Sequence, residues 1–119
     1  DPERAIRTLV SDVPAKQRYS FLAIVYQKMH EDAPGTCVEK VKALLPEMDD
    51  TTVQQLSECV IREALRAGEL ELAKEWMARI SSGKLRVEFA EAYASAVERR
   101  KSDLKQELGA PDAKAARPR

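Results

Sequence analysis

The feature that most constrains this chain is the spacing of its large apolar residues. They recur at intervals of three and four, in short blocks separated by Pro, Gly or a capping residue. That spacing puts side chains on one face of an α-helix, whereas a half-buried strand needs strict alternation. The first block is Ile6, Leu9, Val10 and Val13. Asp1 stands before it as an N-cap, Pro2 takes the first helical position, and Pro14 ends it. The second block starts near Ala15 and carries Phe21, Leu22, Val25, Tyr26 and Met29, up to the break at Pro34-Gly35. In the third, Thr36-Cys37-Val38-Glu39 reads as a capping box. Val38, Val41, Leu44 and Leu45 follow, and Pro46 stops or kinks the helix.

Asp49 or Asp50 caps a fourth helix through Val53, Leu56, Cys59, Val60 and Ala64, and Gly68 is its natural terminator. A fifth starts near Glu69. Its apolar residues Leu70, Leu72, Ala73, Trp76, Met77 and Ile80 cover roughly 160° at about 100° per residue, a face wide enough for two neighbours. Ser81-Ser82-Gly83 breaks the chain before a sixth helix with Val87, Phe89, Ala90, Tyr93, Ala94 and Val97. Leu104 and Leu108 carry that stripe on towards Gly109. Aromatics at 5% and only 4 Gly are poor material for sheets and tight hairpins. The expected fold class is therefore all-α.

The blocks repeat. Leu9/Val10/Val13, Leu44/Leu45/Met48 and Trp76/Met77/Ile80 share one internal spacing. So do Phe21/Val25/Met29, Leu56/Val60/Ala64 and Phe89/Tyr93/Val97. The interval is about 32–35 residues, the length of one helical hairpin in a stacked array. Three antiparallel hairpins, at about 2–33, 34–68 and 69–108, are expected to form one domain over 1–108. The expected arrangement is a short right-handed α-solenoid, with a closed six-helix bundle as the structural alternative. Residues 109–119 hold no large apolar side chain and read as a flexible basic tail. The opening Asp1-Pro2, without Met, reads as the start of an excised fragment or a processed chain.

The run Leu65-Arg66-Ala67-Gly68-Glu69-Leu70-Glu71-Leu72-Ala73, with Met77 and Ile80 after it, resembles the junction between helices in tetratricopeptide repeats. There a Gly closes one helix, and a small residue five positions later lets the next pack closely. The resemblance covers about 16 residues, and pentatricopeptide repeats look similar over the same stretch. It implies stacked hairpins and names no partner.

Charge narrows the function. Lys+Arg and Asp+Glu are 20 each, for a net charge of 0. Binding driven by bulk charge to nucleic acid or anionic lipid is disfavoured. No apolar run reaches the roughly 18–20 residues of a membrane helix. One His and two Cys cannot make a His/Cys zinc site within one chain unless carboxylates complete it. Phosphate-loop, dinucleotide, zinc-protease and serine-hydrolase motifs are absent. No cofactor and no metal are expected, nor is an enzyme.

Individual residues carry weaker signals. His30 beside Glu31-Asp32 fits a helix C-terminus better than a general base. Cys37 and Cys59 sit on adjacent antiparallel helices, with position 37 expected opposite about position 61, and are expected as two buried thiols in a reducing, cytoplasmic setting. Glu47, Asp49 and Asp50 suit a helix start better than a cation site. Arg99, Arg100, Lys101 and Lys105, continued by Lys114, Arg117 and Arg119, make a basic end without interleaved aromatics.

The expected function is a non-catalytic protein–protein interaction module, an adaptor or scaffold. It would bind a protein or peptide segment on the polar face of alternate helices. Arg7, Ser11, Lys40, Lys42, Glu75 and Arg79 are the candidate partner-binding residues, with Arg4 and Glu71 at the margins. Leu104 and Leu108 are candidates for self-association. The alternative is an RNA- or DNA-binding helical array of pentatricopeptide-like type.

Overall fold

The computed structural model describes residues 1–116, with side chains through residue 108. The expected tail over 109–119 lies outside the residues whose side chains are described. The described residues are all-α: α1 (Pro2–Asp12), α2 (Ala15–Asp32), α3 (Cys37–Leu44), α4 (Asp50–Ala67), α5 (Leu70–Met77) and α6 (Gly83–Ala116). A 3-10 turn, Leu45–Glu47, contains Pro46 and ends α3, as a residue without an N–H should.

Local chemistry sets most boundaries. The Asp1 carboxylate accepts from the N–H of Glu3 at 3.1 Å and Arg4 at 3.3 Å, so α1 starts where its cap stands. Pro14 separates α1 from α2 and leads into Ala15. The Asp49 carboxylate accepts from Thr52 N–H at 2.8 Å and starts α4. Gly68 ends α4 with φ 77°. Glu69 N–H reaches Ala64 C=O at 2.8 Å and Gly68 N–H reaches Leu65 C=O at 3.3 Å, the two bonds of a Schellman close.

The expected capping box at Thr36 does not form. Thr36 has ψ −12°, and its hydroxyl makes no capping hydrogen bond. The N–H groups of Thr36 and Cys37 both bond Ala33 C=O, at 3.1 and 3.0 Å. A tight turn thus feeds α3, and Glu39 pairs with Lys42 instead. α5 is also shorter than its apolar stripe: it ends at Met77, while Ile80 is buried from the loop beyond.

α4 is the central helix. α2 runs along one side of it and α5 along another; α1 covers α2, and α6 packs on both α5 and α4. α3 leans on α1 and α2. The core is built from Ile6, Leu22, Tyr26, Val41, Leu56, Val60, Ile61, Trp76 and Phe89. In α2 the buried line is Arg18, Leu22, Tyr26 and Met29. Phe21, placed in the core by its spacing, is 49% exposed. Val87 of α6 is likewise exposed, and Leu85 takes its place against the core. The first correction shifts the buried position by one residue, about 100° of azimuth, and the second by two, about 200°.

Ile6, Val41 and Ala73 are fully buried in the odd helices. Leu22, Leu56 and Phe89 are buried in the even ones. Ala73 lies five residues after Gly68, where α5 packs closely on α4.

Candidate functional site

The candidate partner-binding residues stand on the odd helices, except Arg79, which lies just past the end of α5. Arg7 Nε donates to Glu47 Oε1 at 2.6 Å, joining α1 to the 3-10 turn. Lys40 of α3 lies 3.9 Å from Glu3 of α1. Lys42 lies 3.7 Å from Glu39 and 3.5 Å from Glu75 of α5. Arg7, Lys40, Lys42 and Glu75 thus belong to a row of ion pairs crossing three helices. Arg79 is apart from it, with its guanidinium 4.6 Å from the centre of the Trp76 ring. Ser11, Arg4 and Glu71 are exposed on α1 and α5 and take no part in the row.

The row is close to charge-neutral. The hydrogen bond to Glu47 raises the Arg7 guanidinium above its ordinary value, and the same bond lowers the Glu47 carboxyl. Both groups are exposed, so the pair adds little to stability. Between α1 and α3 the row borders a cleft of about 380 Å³, lined by Glu3, Arg7, Glu39, Lys40 and Leu44 among others. A carboxylate docking there must displace one already present, which weakens any purely ionic recognition.

A more apolar cleft lies beside it. Pro2, Ala5, Ile24, Val25, Met29 and Cys37 line about 490 Å³ between α1, α2 and the start of α3. Asp1, Lys28, Asp32 and Lys40 stand around it. Ile24 is 64% exposed and forms a ridge to a second hollow that holds Leu9 and Phe21. Sequence reasoning missed this surface. The signal was there: Phe21 to Tyr26 is an unbroken apolar run, more than one helix face can bury.

Two networks tie buried polar side chains together. His30 Nε2 lies 2.9 Å from Glu69 Oε1, and Nδ1 lies 3.5 Å from Glu63 Oε1. Its carboxylate neighbours are thus on α4 and at the start of α5, and are distinct from the adjacent Glu31 and Asp32. Arg66 clamps Glu63 from one turn along α4. Arg18, also buried, donates to Thr52 Oγ1 at 2.6 Å and to Val13 C=O at 3.2 Å, closing the end of α1. These networks pin helix ends together.

Both cysteines are buried free thiols. Cys37 Sγ lies 3.4 Å from the Tyr26 hydroxyl. Burial, then the bond to Cys37, raises the Tyr26 phenol above its ordinary value. Burial pushes the Cys59 thiol up to about 12, so it carries almost no thiolate at neutral pH. Glu47 and Asp49 are engaged by Arg7 and by the start of α4. No helix of the described residues is long and apolar enough to cross a membrane. Compared with protein-family models, curated proteins and solved structures, the chain matches none.

Proposed function

We propose that this chain is a non-catalytic protein-interaction module, an adaptor or scaffold built as a short right-handed α-solenoid of tetratricopeptide-like type. The burial of Ile6, Val41 and Ala73 in the odd helices, and of Leu22, Leu56 and Phe89 in the even ones, supports the stacked reading. So does the row of ion pairs along α1, α3 and α5. The buried free thiols suit a reducing, cytoplasmic compartment.

The observation that carries the interaction reading is the aliphatic cleft around Ile24, with Lys40 shared between it and the polar row. An apolar side chain of a partner segment seats in the cleft and supplies most of the binding energy. Polar contacts to Arg7, Lys40, Lys42 and Glu75 set its direction, with Ser11 and Arg79 at the edges. An RNA- or DNA-binding array is the competing reading. The carboxylates Glu3, Glu39, Glu47 and Glu75 along the row repel phosphate.

Selection from a random-peptide display library tests this. Bound sequences should place an aliphatic or aromatic residue near an acidic one. Ile24→Lys should abolish their binding with the melting temperature unchanged, because Ile24 is largely exposed. Lys40→Glu should weaken binding and Lys16→Glu should not. Binders indifferent to Ile24→Lys, or tight oligonucleotide binding with a steep salt slope, would overturn the proposal.

A further inference from the structure

α6 has two faces of different kinds. Leu85, Phe89, Tyr93 and Ala96 line the side that meets the core. About 100° round the helix, Val87, Ala90, Ala94, Val97, Lys101, Leu104 and Leu108 follow a strict three–four alternation, the a/d seam of a coiled coil. Every member of that seam except Val97 is exposed. From Glu98 to Leu108 every side chain is exposed, and only one edge of this stretch, with Arg100, Leu104 and Glu107, borders a cleft against the end of α4. Leu104 is 45% exposed and Leu108 is 76% exposed.

We propose that a second copy of this chain covers them, with residues 97–108 of the two α6 helices packed antiparallel. The flanking charges choose both the occupant and its direction. In the register centred between Lys101 and Leu104, Val97 meets Leu108 of the second copy and Lys101 meets Leu104. Glu98 then faces Lys105 of the second copy on one flank, and Arg100 faces Glu107 on the other. By two-fold symmetry each pair occurs twice, giving four attractive contacts. A parallel pair sets Arg100 against Lys105 and brings the two Lys101 ammoniums together at one seam position, so it is repelled. The antiparallel register lets each Lys101 lay its methylene stem on a leucine and turn its ammonium outward. Among the described residues Glu98 pairs with Lys101 of its own helix, at 3.6 Å. Arg100 uses one guanidinium nitrogen on Gly68 C=O, at 3.0 Å. This surface is separate from the Ile24 cleft, so the dimer presents two such clefts.

Sedimentation equilibrium from micromolar to near-millimolar concentration is the test, with far-UV circular dichroism as the check on folding. The chain should be a reversible dimer. Lys105→Glu sets Glu98 against a second carboxylate, and should weaken the dimer about tenfold or more. The double variant Glu98→Lys/Lys105→Glu restores opposite charges and should recover affinity to within about threefold of the starting chain. A parallel dimer would instead tighten with Lys105→Glu. Leu104→Ser should give a folded monomer. Mixing Lys101→Cys protein with Leu104→Cys protein should yield a disulfide-linked heterodimer on mild oxidation, while neither alone crosslinks efficiently. A chain that stays monomeric throughout, a dimer that Lys105→Glu leaves alone or strengthens, or association that grows beyond two copies overturns the proposal.

Discussion

Trp76 is the largest fully buried side chain, and the short helix α5 exists chiefly to place it. Truncating it to Ala should cost roughly 3–5 kcal/mol, measured by urea unfolding, because the neighbours cannot collapse into so large a space. Among the described residues its buried indole N–H has no partner, and Arg79 lies over the ring. Trp76→Phe removes that unsatisfied donor along with some volume, and should cost much less than Trp76→Ala. Equal losses for the two would mean the N–H is satisfied after all. Gly68 isolates a different effect. A Cβ there would meet nothing within 4 Å, but φ is 77°. Gly68→Ala should therefore lose roughly 1 kcal/mol from backbone conformation alone. The same urea titration reads it, and an unchanged midpoint would contradict the left-handed close.

At the scale of elements, the helix starts differ in what holds them. Thr36 makes no side-chain capping bond, so Thr36→Ala should stay within about 0.5 kcal/mol of the parent. Asp49 does cap, and its hydrogen bonds with Thr52, side chain first and backbone second, lower its carboxyl below the ordinary value. A lowered carboxyl stabilises the fold above its unfolded value of about 3.9 and loses that contribution as pH falls through the lower folded value. Glu58 works the other way: burial raises it, so its penalty is relieved as pH falls. Asp49→Asn should keep α4 capped and flatten the acid limb of a stability–pH curve below about pH 4. An acid limb identical to the parent's would remove Asp49 from its causes.

On the scale of the whole molecule, burial is uneven along the chain. α4 contacts α2, α5 and α6, and from Leu56 to Leu65 every side chain but those of Glu58 and Arg62 is buried, whereas α6 from Glu98 to Leu108 is exposed. Amide hydrogen exchange should be slowest in α4, intermediate in α2, and fastest among helical residues between Glu98 and Leu108 in dilute protein. Strong protection of 98–108 should appear only as concentration rises and the α6 helices pair. Slowest exchange in α1, or concentration-independent protection at 98–108, would contradict this ordering.

Much of this was legible in the residues themselves. Asp1, Pro14, Pro46, Asp49 and Gly68 act on their own backbone or within one turn of it, so their effects can be read without knowing the rest of the fold. The 3.6-residue period likewise assigned helices to all six blocks. The exposed seam of α6 was half visible, because Leu104 and Leu108 were seen as a continuing stripe while Val87 was assigned to the core. Three and four are the spacings of both a core face and a coiled-coil seam, and the pattern alone does not separate them.

The sequence determined the helices, their order and most of their ends, because capping, φ restriction and amphipathic period are local properties. Only the tertiary structure decided which side of each helix turned inward. A helix such as α2, apolar over Phe21 to Tyr26, offers several nearly equivalent faces, and one residue of rotation moves Phe21 out and seats Leu22. That choice is made by neighbours distant in sequence: Thr52 receiving Arg18 at one end of α2, and Glu63 and Glu69 holding His30 at the other. The same non-local packing leaves Ile24 at the rim of a cleft and pairs Arg7, Lys40 and Lys42 with carboxylates from other elements, so the candidate site is a product of the fold and not of any one segment.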